Sequence, residues 1–323
     1  MTVNSAGLRG RVTSTDVFCG VLVTAVLVRL LFGDLFATPA VAAWTTVFAA
    51  ICVQAAPYLV LGVLLSTAIA VFVPPSFFAR VLPDRPSLAV PVAGLAGAAL
   101  PGCECGSVPV AASLIRRGVA PGPAVAFLLS APAINPVVLV ATAVAFPGRP
   151  EMVVARLVAS LATALTVGWL WQRLGRDLPI RAGARLPDGA SVWQRAQLTA
   201  SHDLAQALGM LTIGAASAAF LNVTVPRSWL DHLAGNEIAG IIALALLAVV
   251  LAVCSEADAF IAASLTQFSL TARLAFMVVG PAVDVKLIAM QVGTFGRGFA
   301  VRFAPLALTV AAGAAAAVGT VLL

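Results

Sequence analysis

Long apolar runs alternate with short polar breaks from residue 17 to the end of the chain. The runs cover approximately residues 17–33, 41–73, 88–117, 121–146, 150–172, 204–225, 238–268, 271–295 and 299–323, and one polar stretch, residues 173–203, divides them. About 20 apolar residues cross about 30 Å of hydrocarbon, so runs of this kind predict membrane helices. A barrel would instead show roughly 10-residue segments of alternating polarity. The pattern therefore predicts an all-α polytopic membrane protein. The first run has Arg29 within it and no small-residue cleavage site, and reads as a retained helix.

Composition agrees with the pattern. Of 323 residues 61% are hydrophobic and 10% charged, with a mean hydropathy of +1.04. Such a chain cannot cover a soluble core with polar surface. The net charge of +6 comes from arginines in the breaks, which bear on topology and imply no nucleic-acid partner.

The polar stretch also divides a repeat. Cys103 laid on Cys254 places "AASL" at 111–114 on "AASL" at 262–265. With two residues dropped in the following turn, "AFLLSAPAINP" from Ala126 falls on "AFMVVGPAVDV" from Ala275, so that Pro132 pairs with Pro281, Asn135 with Asp284 and Phe146 with Phe295. Upstream, Gln54, Gly62 and Pro74 pair with Gln206, Gly214 and Pro226. The expected divisions are an arm and first helix over 1–40, a first repeat over 41–172, a basic linker over 173–203 and a second repeat over 204–323.

Loop charges give the orientation, because cytoplasmic loops are rich in Lys and Arg. If every run spans, the basic residues outside helix interiors divide almost evenly. If residues 88–117 and 238–268 dip in and return to their starting side, then Arg9, Arg11, Arg80, Arg85, Arg116, Arg117, Arg297 and Arg302 join the 173–203 loop in the cytoplasm. Only Arg149, Arg156, Arg227 and Arg273 then lie outside. The two halves would insert upside down relative to each other, the inverted-repeat plan of secondary transporters, with broken or re-entrant helices meeting near the bilayer midplane. The N-terminus and the 173–203 loop would be cytoplasmic.

Each dipping segment has arms of about 13 residues, or about 20 Å, enough to reach mid-bilayer. "PGCECG" and "VCSEAD" fall at the tips. Pro101, Gly102, Gly106 and Pro109 are helix-breaking residues at the first tip, and Pro132, Pro136 and Pro281 bracket breaks near Asn135 and Asp284. Irregular backbone at that depth is tolerated only inside protein or along a cavity. Ionisable residues there cost about 2.5–3.5 kcal/mol each and mark a site or pathway, and this chain places Glu104, Glu256, Asp258, Asp284 and Lys286 at the breaks. On a regular helix Asp284 and Lys286, two residues apart, would not face each other, so they pair with each other only if the helix is unwound there, or else with partners such as Glu256 or Asp258.

Soft thiolates at Cys103, Cys105 and Cys254 beside hard carboxylates suit zinc, copper(I) or a thiophilic arsenical, as transported substrate, better than magnesium or calcium. The Cys-x-Cys spacing is not that of a zinc finger, and a dithiol–disulfide cycle would need a strained ring. Cys19 and Cys52 read as small hydrophobes in apolar helix. His202 and His232, near Asp203 and Asp231, read as solvated surface histidines, and Arg116 and Arg117 as anchors of a helix end.

"LPGCECGSVPVAASLIRRG" from Leu100, with "SAPAINPVV" from Ser130, resembles the hallmark pair of the predicted permease family that includes the organoarsenical efflux permeases and the YraQ-like permeases, over roughly residues 45–320. The resemblance implies a permease of the cytoplasmic membrane, not an enzyme, with members linked to efflux of trivalent organoarsenicals or to copper and zinc handling. It places the family's Cys-x-Cys on Cys103 and Cys105 and its Asn-Pro on Asn135 and Pro136. "CSEADAF" and "GPAVDVKL" resemble the subgroup often paired with a second membrane subunit.

The expectation is a secondary permease with a midplane site built from Cys103, Glu104, Cys105, Asn135, Cys254, Glu256, Asp258, Asp284 and Lys286. Carboxylates such as Glu104 or Asp284 would exchange protons to couple transport. The competing readings are a non-transporting membrane subunit for metal binding, delivery or sensing, and a membrane thiol redox protein.

Overall fold

A computed structural model describes residues 38–72, 82–83, 85–99, 104–174, 191–224 and 236–323. The expected N-terminal helix, Pro101, Gly102, Cys103, His232 and most of the basic linker lie outside these residues. The chain divides into Met1–Ala42, of which only residues 38–42 are described, and Ala43–Leu323, which holds everything discussed below.

Every regular element among the described residues is helical. The first half contains α1 (Pro39–Phe72), α2 (Pro86–Ala96) with a tight turn at Gly97–Ala99, α3 (Glu104–Arg116), α4 (Pro121–Ser130), α5 (Pro136–Ala145) and α6 (Pro150–Leu174). The second contains α7 (Val192–Thr224), α8 (Glu237–Leu251), α9 (Asp258–Ser264), α10 (Leu270–Ala282), α11 (Val285–Phe295) and α12 (Arg297–Leu322). The stretches 39–72, 150–174, 192–221, 270–295 and 297–322 are long and apolar enough to cross a membrane. Element for element, each half is a long helix, two interrupted segments and a second long helix. Helix α7 begins at Val192, so the last part of the expected 173–203 linker is helical.

The interruptions match the repeat in detail. Asn135 caps α5 by accepting a hydrogen bond from the Val138 amide, and Asp284 caps α11 by accepting one from the Leu287 amide. Asn135 and Asp284 are aligned positions, and so are Val138 and Leu287. A polar side chain at this place satisfies an amide that an interrupted helix leaves open.

Segment 86–116 doubles back. Trp169 Nε1, near the end of α6, donates to the Ser87 carbonyl at the start of α2. Gln172 on the same turn accepts from the Gly122 amide at the start of α4. Helix α2 then runs beside α4 until Gly97 meets Ser130, and α3 returns to the start of α4 through only residues 117–120. Both outer ends of the α2–α3 hairpin thus lie at one end of α6.

The α8–α9 hairpin repeats this plan at the other end. Gly240 near the start of α8 lies against Phe268 and Ala272 at the start of α10, and Thr271 packs under Gly319 at the end of α12. Helix α12 begins beside the end of α6, where Trp171 meets Phe299 and Phe303 edge-on, and packs along it. From Phe299 to Gly319 is about 30 Å of helix at 1.5 Å per residue, so the two hairpins open about a bilayer thickness apart and in opposite directions. Two of the contacts between the halves are equivalent in the repeat: α3 packs on α11, and its counterpart α9 packs on α5, the counterpart of α11.

Two expected helix breakers do not break. Gly106 and Pro109 lie inside α3. Gly106 serves close packing: a Cβ at this position would lie 2.9 Å from the Tyr58 carbonyl oxygen and 3.5 Å from the Gly62 Cα of α1. Pro109 sits early in the helix, where it costs one backbone hydrogen bond and the rest of the helix continues. Consequently Glu104 and Cys105 open a helix rather than lying on an unwound tip.

Candidate functional site

The start of α3 and the break between α8 and α9 meet in the protein interior. Glu104, fully buried, is the first residue of α3, where a helix N-terminus favours a carboxylate. The Lys286 ammonium, on the first turn of α11, donates to Glu104 Oε1 at 2.6 Å. It also donates to the Ala252 carbonyl at 3.3 Å and stands 3.9 Å from Asp284 Oδ2. Ala252 ends α8 in a left-handed conformation, φ 49°, a backbone that costs energy for a residue with a side chain. That turn frees the carbonyl Lys286 uses. Asp284 and Lys286 do come together because the helix is interrupted at 283–284, but the principal partner of Lys286 is Glu104, from the other half.

A second buried ion pair lies beside the first. Arg156 of α6 donates to Asp258 Oδ2 at 2.7 Å, to the Ser255 carbonyl at 3.1 Å and to the Thr142 hydroxyl at 2.9 Å. Ser255 connects the pairs, since its hydroxyl donates to Glu104 Oε2 at 3.4 Å. Glu104 and Ser255 are aligned residues of the repeat, 151 apart, so the approximate two-fold relation between the halves runs through this contact. Isolated charges at this depth are prohibitively costly, and pairing with further hydrogen bonds is what makes them tolerable.

The remaining expected site residues distribute as follows. Cys105 follows Glu104 on α3, and Cys254 precedes Ser255 in the second break; both are buried and not in disulfides. Asn135 is fully buried, with its amide nitrogen donating to Ala131 and its oxygen capping α5. Glu256 is half-buried at the second break, and its Oε2, like Asp258 Oδ1, has no hydrogen-bond partner among the described residues. Among the described residues no three His, Cys, Asp or Glu side chains form a ready-made metal cage.

A family described as "Predicted permease" matches residues 40–319. The chain belongs to this permease family. The UPF0718 protein YcgR of Bacillus subtilis (strain 168) is 35% identical over 262 residues, covering 79% of this chain and 89% of that protein. A Streptococcus mutans protein named "Putative two-component membrane permease complex subunit" is 31% identical over 266 residues, covering 80% of this chain and 88% of its own. No solved structure matches. Together with its apolar helices, the family membership makes this chain a multi-pass membrane permease.

Sequence reasoning missed two members of the permease's buried network. Arg156, taken for an external loop residue, is fully buried inside α6; its place seven residues into an apolar run was the available signal. Ser255 was passed over as an ordinary serine, and its signal was the alignment of the repeat, which sets it opposite Glu104. Arg116 is no mere helix anchor: it pairs with Asp203 at 3.2 Å. His202, taken for a solvated histidine, also touches Asp203, at 3.5 Å.

Proposed function

We propose that this chain is a secondary permease that moves a soft metal ion or thiophilic metalloid across the cytoplasmic membrane past the two breaks, which lie near the bilayer midplane. The α2–α3 and α8–α9 hairpins are re-entrant in this reading, each entering from one face and returning to it. Support comes from their opening in opposite directions, the arrangement that lets one half rock against the other around a fixed site. The observation that carries the reading is the Glu104–Lys286 pair with Ser255, which joins the breaks of both halves deep in the protein. Passage requires this pair to part, and a soft cation held by Cys103, Cys105 and Cys254 would compensate Glu104 once Lys286 swings to Asp284. Glu104 or Asp284 exchanging a proton would couple the cycle to a pH gradient.

Uptake of zinc, copper(I) and a trivalent arsenical by liposomes containing the purified protein tests this. Flux should fall in Cys103→Ser and Asp284→Asn, and unchanged flux in both would remove the proposed site. A pH gradient without effect would remove proton coupling. The name of the streptococcal relative favours a second membrane subunit as partner. Substrate binding without flux until such a subunit is added would make the chain the binding component of a two-part permease.

A further inference from the structure

Helix α3 is tied to the second half at both ends. At its start Glu104 meets Lys286; at its end, twelve residues or about 18 Å away, Arg116 meets Asp203 of α7. Asp203 is only 8% exposed although it lies far from the first pair. Its Oδ2 also accepts from the Ser66 hydroxyl of α1 at 3.3 Å, and the Ser113 hydroxyl of α3 donates to the Ser66 carbonyl. One carboxylate therefore gathers α1, α3 and α7.

Between these two ties lies a cavity. Pro109 and Ala112 of α3, Gln206 of α7 and Met290 of α11 line it, and Arg116 and Asp203 form part of its wall. Pro109 and Ala112 stand one to two turns along α3 from Glu104, and Met290 stands one turn along α11 from Lys286. The three helices come from both halves, so relative movement of the halves changes this cavity.

We propose that the cavity between α3, α7 and α11 is the cytoplasmic vestibule of the permeation path and that the Arg116–Asp203 pair is its gate. Closed, the pair draws the end of α3 onto α7. Parted, it opens a route from the cytoplasm toward Glu104 and Lys286 and leaves Asp203 at the mouth to attract a cation. The assignment rests on the permease reading for its direction across the membrane.

Labelling of Ala112→Cys by a membrane-impermeant maleimide, read by mass spectrometry at that position in inside-out and right-side-out vesicles, tests the gate. Labelling should be slow with the native pair. It should accelerate at least about fivefold, the lower end of ordinary coupling between sites, in Arg116→Gln and in Asp203→Asn, and only from the cytoplasmic side. The exchanged pair Arg116→Asp with Asp203→Arg should restore slow labelling. Unchanged labelling in both single variants, acceleration from both sides, or failure of the exchanged pair to slow it would overturn the proposal. Flux by the native protein, with and without a second membrane subunit, separates the two readings: no flux in either case with accelerated labelling removes transport and keeps the pair as the closure of the cavity, whereas flux with unchanged labelling removes the closure and keeps the permease.

Discussion

Where α3 meets α11 the halves are joined by Glu104 and Lys286; where α9 meets α5, Asp258 is held by Arg156 with Thr142 beside it. The crossings are equivalent in the repeat but differ in chemistry. Lys286 carries a compact charge on a flexible stem, placed just after a helix break, with Glu104, the Ala252 carbonyl and Asp284 all within 4 Å. Arg156 projects from an unbroken 25-residue helix and spreads a rigid fork over three acceptors at once. An ammonium can trade partners, whereas a guanidinium fixed at several points cannot do so without losing all of them. In the proposed transport cycle the α3–α11 crossing is thus the one that moves, and the α5–α9 crossing is the one that holds.

The largest effect should come from breaking the crossing that holds. Arg156→Met leaves the buried Asp258 carboxylate without its cation and should cost about 3–5 kcal/mol, read as a fall in the thermal unfolding midpoint in detergent. Adding Asp258→Leu should recover most of that loss, because two apolar groups need no partner. If the double variant is no more stable than the single one, the pair is not what Arg156 contributes.

Glu104→Gln should cost less, about 1–3 kcal/mol, because Lys286 keeps the Ala252 carbonyl and lies near Asp284. Its flux, however, should be lost. Should Glu104→Gln destabilise more than Arg156→Met, or leave flux intact, the roles of the two crossings would be reversed.

The breaks were legible in the sequence and the pairings across them were not. Pro132 and Pro136 fall at the first interruption and Pro281 in the last turn of α10 before the second, since a ring without an amide hydrogen weakens the ladder there, and Asn135 and Asp284, paired by the repeat, cap the helices that follow. The partner of Lys286 lay 182 residues away in Glu104, while the sequence offered Asp284, two residues away, or Glu256 or Asp258. A repeat says which positions are equivalent; which of them touch depends on how the halves cross, a property of packing. The same limit hid Arg156, since a charge near the end of an apolar run is read as a loop residue until its partners are known. Gly106 and Pro109 were over-read for a related reason: a glycine that breaks a helix and one that lets two helices touch look alike along a chain.

That close contact gives a sharper test. The aligned glycines Gly62 and Gly214 flank the α3–α11 crossing from either side. A Cβ on Gly62 would come within 2.6 Å of the Gly106 carbonyl oxygen in α3, and one on Gly214 within 2.7 Å of the Lys286 Cα in α11. Each alanine substitution should force its helix aside and cost about 1–3 kcal/mol. Gly209→Ala, on α7 with nothing within 4 Å of the added carbon, should instead stabilise by about 0.4–1 kcal/mol through the helix preference of alanine. Unfolding midpoints that do not separate these variants would mean that the helices are not held in contact at Gly62 and Gly214.

The smallest stability effect, and the finest test of the comparison, is expected at the caps. Asp284 does two things: one oxygen accepts the Leu287 amide at 2.6 Å and the other stands 3.9 Å from Lys286. Asparagine caps a helix about as well as aspartate, as Asn135 does at the aligned position. Asp284→Asn should therefore shift stability by only a few tenths of a kcal/mol, whereas Asp284→Ala should lose about 1 kcal/mol with the cap. Flux should fall alike in both, because both remove the charge that receives Lys286 when Glu104 lets go. If Asp284→Asn transports normally and Asp284→Ala does not, then Asp284 is a cap like Asn135, and Lys286 exchanges between Glu104 and the Ala252 carbonyl alone.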